Sequence, residues 1–575
     1  MSIKSFILTD KEHFLDSTLG WSFRSIGNLK LMVQGDFFER ESTLIWYDGW
    51  ILPRNRYFGK YRNYKVEEII HELICNGVKD FHNYIKGNFT LVVLHDSSLT
   101  IMTDFHGLSK VYYRVGSNHL EYSNDYALIV DENDRLEDLF PFVLALFQHP
   151  VSGIMPHSGI RFIDKPTYVM INDLKVSSIC YWMPESIIES PNTVLIDELV
   201  NEFQIVVQNT CEFRQLRECA LTLTGGRDTR SVLSALQHTK VSLRPFTFGD
   251  PRGKDVLVAQ QLSTSLNLNF TNPNINPLSP ENYDIWVNNL MRFCNPFISL
   301  HRAHRLQAFS EMRSKFPDID FLFMGCMGGD YSKGISFNDY IVTKFLRFYY
   351  IDKIPLEDCI KNVLVSHDLD YSKDILDRLC SFINGIEWIE KEWSKSAEMK
   401  LAFYFVGTLH DVQDMMLARY CGFHVFSPFM DIDFIEMQFK SEFCLYHSER
   451  NSVNPLNRLR GGELQARIIC GLSKELCSLP LANDYIPRDI LGNRILYLFK
   501  RTYKHFVKKP NLPTFSYGAW FVSWVRMKES LLGMNNFVEN EVSNFPKHEG
   551  FWHKITNRIW IKLLKREIDV RNSKK

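Results

Sequence analysis

The sequence predicts an α/β protein whose C-terminal part is built on a parallel sheet. Three apolar runs, at residues 221–224, 244–248 and 318–324, each lead into glycine. Helical patterns follow the first two runs, beginning near Ser231 and Asp255. Strands that alternate with helices at this spacing are typical of βα units in a parallel sheet.

The turn after the first run, Thr224 to Arg230, has the composition of an anion-binding loop. Two consecutive glycines lead into a helix, whose first backbone N–H groups can bind an anion, and the expected anion is a nucleotide phosphate. Thr224 and Thr229 can add hydroxyl donors. Asp228 would repel phosphate unless a cation lay between them, so its presence indicates Mg²⁺. No lysine follows the glycines, which excludes a Walker A loop; an ordinary strand-to-helix turn is the alternative.

The third apolar run supplies a second carboxylate. The turn after this run contains Gly328, Gly329 and Asp330. By itself Asp330 is a common turn residue after two glycines. Parallel strands end at one edge of a sheet, however, and there Asp228 and Asp330 would suit a shared Mg²⁺ on pyrophosphate.

These motifs resemble a known family. The loop is similar to the pyrophosphate loop of ATP pyrophosphatases, usually Ser-Gly-Gly-x-Asp-Ser, and residues 220–450 resemble the synthetase domain of asparagine synthetases. Leu417 to Asp431 resembles the signature ending Pro-Phe-Leu-Asp, with Asp411 and Asp414 before it. The resemblance implies ATP and Mg²⁺ as cofactors and Asp228, Asp330 and Arg230 as catalytic residues. It implies phosphate contacts from Thr224, Gly225, Gly226, Asp228, Thr229, Arg230, Gly328 and Gly329, and adenine contacts from Phe248 and Gly249.

The N-terminal part resembles the glutaminase domain of the same family. The matching segments are Gly87–Asp96, Asp104 with Gly107, Val111–Tyr113 and Tyr122–Asn124. The resemblance implies an αββα sandwich of the N-terminal-nucleophile hydrolase type. The expected organisation is therefore a degenerate amidotransferase-like domain at 1–184, including a bridge at 151–184. A pyrophosphatase-type domain follows at 185–490, and a basic helical extension at 491–575.

Departures from the family pattern occur in both domains. The nucleophilic Cys expected at position 2 is Ser2, and the Asn-Gly-Glu motif corresponds to Asp48-Gly49-Trp50, where Trp50 cannot accept a hydrogen bond. We expect this domain to be a structural relic without glutamine hydrolysis, as in β-lactam synthetases and lasso-peptide cyclases. In the second domain, Met327 and Tyr331 replace the acidic residues of the third loop. Candidates for the missing lysine are Arg467, Lys474 and Arg488, each better explained as an ordinary solvated charge. Arg227 and Arg230 could supply part of that charge instead.

Composition and charge argue against nucleic-acid-binding, secreted and membrane-spanning proteins. The 575 residues are 45% hydrophobic with a net charge of −1, so no overall positive field favours nucleic acid. The N-terminus is too polar for a signal peptide, and the longest apolar stretch, Phe140–Phe147, is too short to span a membrane. We therefore expect a cytoplasmic protein.

The cysteines and the basic segments complete the sequence reading. The 12 cysteines lack metal-ligand spacing, so we expect free thiols in a reducing compartment, although Cys211 with Cys219 and Cys470 with Cys477 form loose pairs. Residues 494–512 and 558–566 are basic and amphipathic. They are expected to pack their apolar faces on the domain, with binding to a membrane or a partner as the alternative.

The predicted function is an ATP-dependent ligase that forms AMP and pyrophosphate. A small-molecule or peptide carboxylate would be adenylated and then attacked by an amine or by ammonia, for which a separate glutaminase is one source. One alternative is a catalytically inactive nucleotide-binding or scaffold protein. Another is a glutamine-hydrolysing asparagine synthase.

Overall fold

The computed structural model describes residues 4–528 with internal gaps, and beyond them Ile559 alone. The gaps are 11–19, 115–119, 132, 173–174, 185–186, 188–192, 274–278, 295–296, 334–343, 368, 393, 407–409, 445, 448–461, 483–484, 494, 498 and 501–516. Ser2 and most of the two basic segments lie outside the described residues.

Two six-stranded antiparallel sheets form the N-terminal part. The first has the order β10-β8-β9-β1-β3-β2 and the second the order β12-β11-β7-β6-β5-β4. The strands are β1 (Phe6–Thr9), β2 (Trp21–Ile26), β3 (Leu29–Gln34), β4 (Phe38–Arg40), β5 (Thr43–Pro53), β6 (Ile85–His95), β7 (Ser98–Thr103), β8 (Tyr112–Arg114), β9 (Glu121–Ser123), β10 (Ile160–Phe162), β11 (Thr167–Asn172) and β12 (Lys175–Cys180).

Alternating side chains place apolar residues on both faces of these sheets. Leu8 and Val33 of the first sheet share one buried cluster with Trp46 and Val92 of the second, so the two sheets pack face to face. Three helices accompany them: α1 (Phe58–Tyr61), α2 (Val66–Cys75) and α3 (Phe140–Phe147). Helix α2 covers the outer face of the second sheet, and α3 lies in the cluster that contains Ile7 of the first. The αββα sandwich of the hydrolase type stays a prediction.

A four-stranded parallel sheet organises the C-terminal part. Its strands are β13 (Glu218–Thr222), β14 (Ser242–Phe246), β15 (Phe321–Phe323) and β16 (His424–Phe426), in the order β14-β13-β15-β16. Every neighbouring pair is parallel, with Ala220 opposite both Arg244 and Leu322. The coarse prediction of a mixed α/β chain with a parallel sheet is thereby confirmed.

Helices surround this sheet and extend the chain beyond it. The described helices are α4 (Ile196–Phe213), α5 (Asp228–Leu236), α6 (Lys254–Ser265), α7 (Pro280–Cys294), α8 (Ala303–Lys315), α9 (Asp330–Lys333), α10 (Lys344–Tyr350), α11 (Leu356–Ser366), α12 (Lys373–Asn384), α13 (Lys395–Val406), α14 (His410–Tyr420), α15 (Ile432–Phe439), α16 (Glu463–Leu472), α17 (Lys474–Ser478), α18 (Pro487–Leu491) and α19 (Tyr517–Lys528). In the described part of the chain, no helix is long and apolar enough to cross a membrane.

Two expectations need correction. Cys470 and Cys477 form a disulfide between α16 and α17, with Cα atoms 4.7 Å apart, whereas all cysteines were expected to be free; the other nine described cysteines are free thiols. The turn between two short helices brings the pair together. In the first basic segment, Ile495, Leu496 and Phe499 are exposed and only Tyr497 is buried, so its apolar face is not packed as predicted within the described residues.

Candidate nucleotide site

A cavity of about 380 Å³ opens at the carboxyl edge of the parallel sheet. Its walls include Thr222 and Phe246, the last residues of β13 and β14, and the segment 324–326 that follows β15. In open α/β sheets ligands bind at this edge, and the volume lies within the usual range for small-molecule sites.

Close backbone approaches explain the glycines around the cavity. A Cβ atom at Gly325 would lie 2.4 Å from Thr229 N, and one at Gly328 would lie 2.3 Å from Asp228 Oδ1. Real Cβ contacts are not this short. The third loop can therefore lie against the first turn of α5 only because Gly325 and Gly328 have no side chains. The two loops predicted to act together are therefore in contact.

The N–H groups of the predicted phosphate cradle are only partly available. Those of Thr224, Gly225 and Gly226 donate to Thr229 Oγ1, Asp255 Oδ1 and Thr224 Oγ1, at 3.1–3.2 Å. No described side chain caps the N-terminus of α5, which begins at Asp228. The first turn of that helix is thus the better anion site.

Asp228 borders the cavity, and its carboxylate is held in place from behind. The Nε2 group of Gln465, on α16, donates to Asp228 Oδ1 at 2.8 Å and to Gly328 O at 2.5 Å. Gln465 is fully buried. Sequence reasoning missed this residue because it lies 237 positions from Asp228 and a single glutamine has no recognisable pattern.

Asp330 is the first residue of α9, two residues beyond Gly328. It is half-buried and does not line the cavity. Next to it, burial raises the pKa of the Tyr331 hydroxyl well above its usual value, and the charge of Asp330 raises it further. The predicted sharing of a metal ion by Asp228 and Asp330 stays a prediction.

Arg230 does not face the cavity as expected. Its side chain is fully buried, and its guanidinium donates to the carbonyl oxygens of Leu479 and Pro480, each at 2.7 Å. Burial lowers its pKa to about 10. These contacts connect Arg230 to the segment that follows α17, which is a structural role. In the described contacts, its guanidinium donates no hydrogen bond to the phosphate loop.

Aromatic and charged side chains also line the cavity. Phe248, predicted to contact adenine, lies 6.0 Å from the ring of Phe309 and 5.6 Å from the guanidinium of Arg305. Arg305 also pairs with Asp414, whose other oxygen accepts from Arg302 at 2.7 Å. Sequence reasoning noted Asp414 but missed Arg305, the cation that does line the cavity.

The other predicted positions lie away from the cavity lining. Gly249, Gly329, Arg467, Lys474 and Arg488 are described, but none of them borders the cavity. Arg467 pairs with Glu463 and is 44% exposed. Met327 is buried, with φ of +66°. A non-glycine residue in this conformation is strained, so the third loop has an unusual backbone at Met327. The thioether of Met327 cannot accept a proton.

The Asp48-Gly49-Trp50 motif of the N-terminal part lies beside an arginine from the C-terminal part. Arg419, from α14, donates to Asp48 Oδ2 at 2.7 Å, to Asn88 Oδ1 at 2.8 Å and to Ser109 Oγ at 2.6 Å. Burial raises the pKa of Asp48, while Arg419 lowers it. The Asp48 carboxylate is thus paired with a guanidinium of the protein itself.

Trp50, from the same motif, contacts the parallel sheet. Its indole N–H donates to the carbonyl of Val425 at 3.0 Å, and its ring packs 5.1 Å from that of Phe426. Both contacts join β5 to β16 of the parallel sheet. Trp50 therefore connects the two halves, a role that its sequence position alone did not indicate.

Comparisons with known proteins do not identify a family for this chain. No protein-family model and no curated protein sequence matches the chain. Among solved structures, NMN synthetase from Francisella tularensis is 13% identical with a TM-score of 0.22, over 37% of this chain and 94% of that one. Glutamine phosphoribosylpyrophosphate amidotransferase from B. subtilis, complexed with ADP and GMP, is 8% identical with a TM-score of 0.20, over 56% and 76%.

Glutamine-dependent NAD+ synthetase from Acinetobacter baumannii, in complex with ADP, is 10% identical with a TM-score of 0.19, over 40% of this chain and 50% of that one. At TM-scores this low the likenesses carry no conclusion about activity. The function must be argued from the residues of the site.

Proposed function

We propose that this chain is an asparagine synthetase-like ligase that uses ATP to activate a carboxylate and releases AMP and pyrophosphate. The observation that carries the proposal is the contact between the Thr-Gly-Gly-Arg-Asp-Thr loop and the third loop, at the edge of a cavity large enough for a nucleotide. Gly325 and Gly328 permit that contact, and Gln465 fixes Asp228 within it.

The walls of the cavity suit the parts of ATP. The aromatic wall of Phe248 and Phe309 offers a surface for the base. The uncapped N-terminus of α5 offers N–H groups and the positive end of a helix dipole to the phosphates. Arg305, also in the cavity lining, adds a positive charge for either a phosphate or the substrate carboxylate.

The donor set also suits Mg²⁺. Asp228 presents a carboxylate at the cavity edge, with Oδ1 held by Gln465. Mg²⁺ is usually bound by one or two carboxylates together with substrate phosphates and water, so Asp228, with Asp330 as a possible second ligand, would hold it. When bound, the ion would neutralise charge on the leaving pyrophosphate.

The proposed reaction has two steps. A carboxylate oxygen of the substrate attacks the α-phosphorus of ATP, the bond to the β-phosphate oxygen breaks, and pyrophosphate leaves. An amine or ammonia nitrogen then attacks the acyl carbon, the bond to AMP breaks, and the nitrogen loses a proton. The amine or ammonia comes from outside the N-terminal part, since Asp48 is paired with Arg419 and Trp50 cannot accept a hydrogen bond from glutamine. Glutamate release from glutamine should stay at background.

The direct test is exchange of labelled pyrophosphate into ATP in the presence of candidate carboxylates. Asp228→Ala is expected to lower exchange by at least about 100-fold, a loss like that of an electrostatic group at a transition state. The exposed Asp374 provides a matched control, and Asp374→Ala should exchange like wild type. Equal exchange by Asp228→Ala and wild type would contradict the assignment.

A second candidate function, a nucleotide-binding protein without catalysis, is favoured by Met327 and by the internally bonded N–H groups of residues 224–226. ATP binding distinguishes the two. Binding that depends on Asp228, with no exchange across a broad panel of carboxylates, would favour the inactive protein.

A further inference from the structure

The outer face of the N-terminal domain carries a cluster of three metal-ligating side chains, remote from the ATP cavity. His71 and Cys75 lie four residues apart on α2, which places both on one face of the helix. Glu41 comes from the turn between β4 and β5. Ligand atoms of all three residues lie within 4.8 Å of one another.

The distances are close to those that one ion requires. Cys75 Sγ lies 3.8 Å from His71 Nε2, and the same nitrogen lies 4.0 Å from Glu41 Oε2. Tetrahedral zinc, with Zn–S of about 2.3 Å and Zn–N or Zn–O of about 2.0–2.2 Å, requires a sulfur-to-nitrogen distance of about 3.6 Å and a nitrogen-to-oxygen distance of about 3.4 Å. Both side chains that face His71 must therefore move toward the ion, and both are exposed and able to do so.

The backbone fixes the relative positions of the three residues. Arg40 pairs with Thr43, so Glu41 and Ser42 form a two-residue hairpin turn. Glu41 has a φ of +53°, a conformation in which such turns usually have Asn or Gly. His71 is only 6% exposed, so its ring is held by packing while Cys75 and Glu41 face solvent.

We infer that Glu41, His71 and Cys75 form a binding site for Zn²⁺. A thiolate with an imidazole favours zinc over Mg²⁺ or Ca²⁺, which prefer oxygen ligands. Three protein ligands leave the fourth position of the tetrahedron to water or an exogenous ligand. The ion would connect the β4–β5 turn to α2.

The test uses the full chain, free of ATP and kept under an inert atmosphere without reductant, so that the Cys470–Cys477 disulfide stays intact. Zn²⁺ binding is measured by calorimetry, and Co²⁺ is used as a probe because a thiolate ligand gives a charge-transfer absorption band. Cys75→Ser is expected to abolish that band and to weaken Zn²⁺ binding by at least about 10-fold. Glu41→Gln should weaken Zn²⁺ binding but keep the band. Both side chains are exposed, so neither variant should disturb folding.

Cys180→Ser is the matched control, because Cys180 is the other exposed free cysteine that the structure describes. It should bind both ions like wild type. Zn²⁺ should also raise the unfolding temperature of wild type and of Cys180→Ser, but not of Cys75→Ser. A wild-type protein without the cobalt band, or a band that survives in Cys75→Ser, would overturn the inference.

Discussion

The two regions that resemble functional motifs differ in what their carboxylates contact. In the N-terminal part, Arg419 donates to Asp48, Asn88 and Ser109, and Trp50 donates to the carbonyl of Val425. In the C-terminal domain, Asp228 borders an open cavity. A family-like motif therefore does not by itself show whether a ligand can reach its carboxylate; the contacts of that carboxylate do.

A buried ion cluster connects the N-terminal and C-terminal parts. Between the domains, Lys86 is fully buried and paired with Asp431 and Asp433, both at 2.8 Å, and Arg54 pairs with Asp433 at 2.6 Å. Burial lowers the pKa of Lys86, but the two carboxylates outweigh it and raise the pKa above its usual value. Asp431 ends the signature that resembled Pro-Phe-Leu-Asp, so in this protein the signature carboxylate contributes to joining the domains.

The largest effect is expected at this ion cluster. Lys86→Met would leave Asp431 and Asp433 buried without their shared cation and should lower the free energy of unfolding by about 3–5 kcal/mol. The measurement is urea unfolding at pH 7. Lys60→Ala, which breaks the exposed pair with Glu72, should cause little change. Equal stability of Lys86→Met and wild type would show that the domain junction does not depend on these charges.

Removing Arg419 tests its pairing with Asp48 directly. Arg419→Ala should lower the free energy of unfolding by about 2–3 kcal/mol at pH 7, because Asp48 is left as a buried anion with one partner fewer. Without the guanidinium the pKa of Asp48 in the folded state should rise further above its unfolded value. The destabilisation caused by a raised carboxyl pKa is fully present at pH values above the pKa of the folded state. It vanishes at pH values below the pKa of the unfolded state.

The deficit of Arg419→Ala relative to wild type should therefore shrink as the pH falls from 7 toward 4. Unfolding curves across this range measure it. Arg24→Ala, which removes an exposed pair with Glu39, is the control and should show a small deficit. A deficit for Arg419→Ala that grows on acidification would contradict the assigned pairing.

The smallest change in stability is expected at the open cavity, where the consequence is mainly for binding. Gly325→Ala places a methyl group against the backbone of Thr229, so the loops must separate, at a cost of about 1–3 kcal/mol and with loss of ATP binding. Gly59→Ala is the matched control: nothing lies within 4 Å of its Cβ position, so ATP binding should be unchanged. Nucleotide affinity measured by calorimetry compares the two, and unimpaired binding by Gly325→Ala would show that loop contact is not required.

The sequence by itself determined the local parts of this protein. Glycine turns between apolar runs and helical patterns predicted the βα units, because strands and helices depend on the spacing of nearby residues. The sandwich of the N-terminal part was expected from the family resemblance and not from a local pattern. The local signals placed Asp228 in a loop before a helix beginning near Ser231, whereas the helix begins at Asp228 itself.

Only the tertiary structure decided the partners. Gln465 reaches Asp228 across 237 positions, Arg419 reaches Asp48 across 371, and Trp50 reaches Val425 across 375. Arg230 lies in the loop by sequence yet bonds to carbonyls near residue 479. A side chain's contacts depend on how distant elements pack, and hydrogen bonds and ion pairs leave no periodic signal in the chain. That is why the sequence identified both motifs, while only the packing showed that Arg419 pairs with Asp48 and that Asp228 borders a cavity.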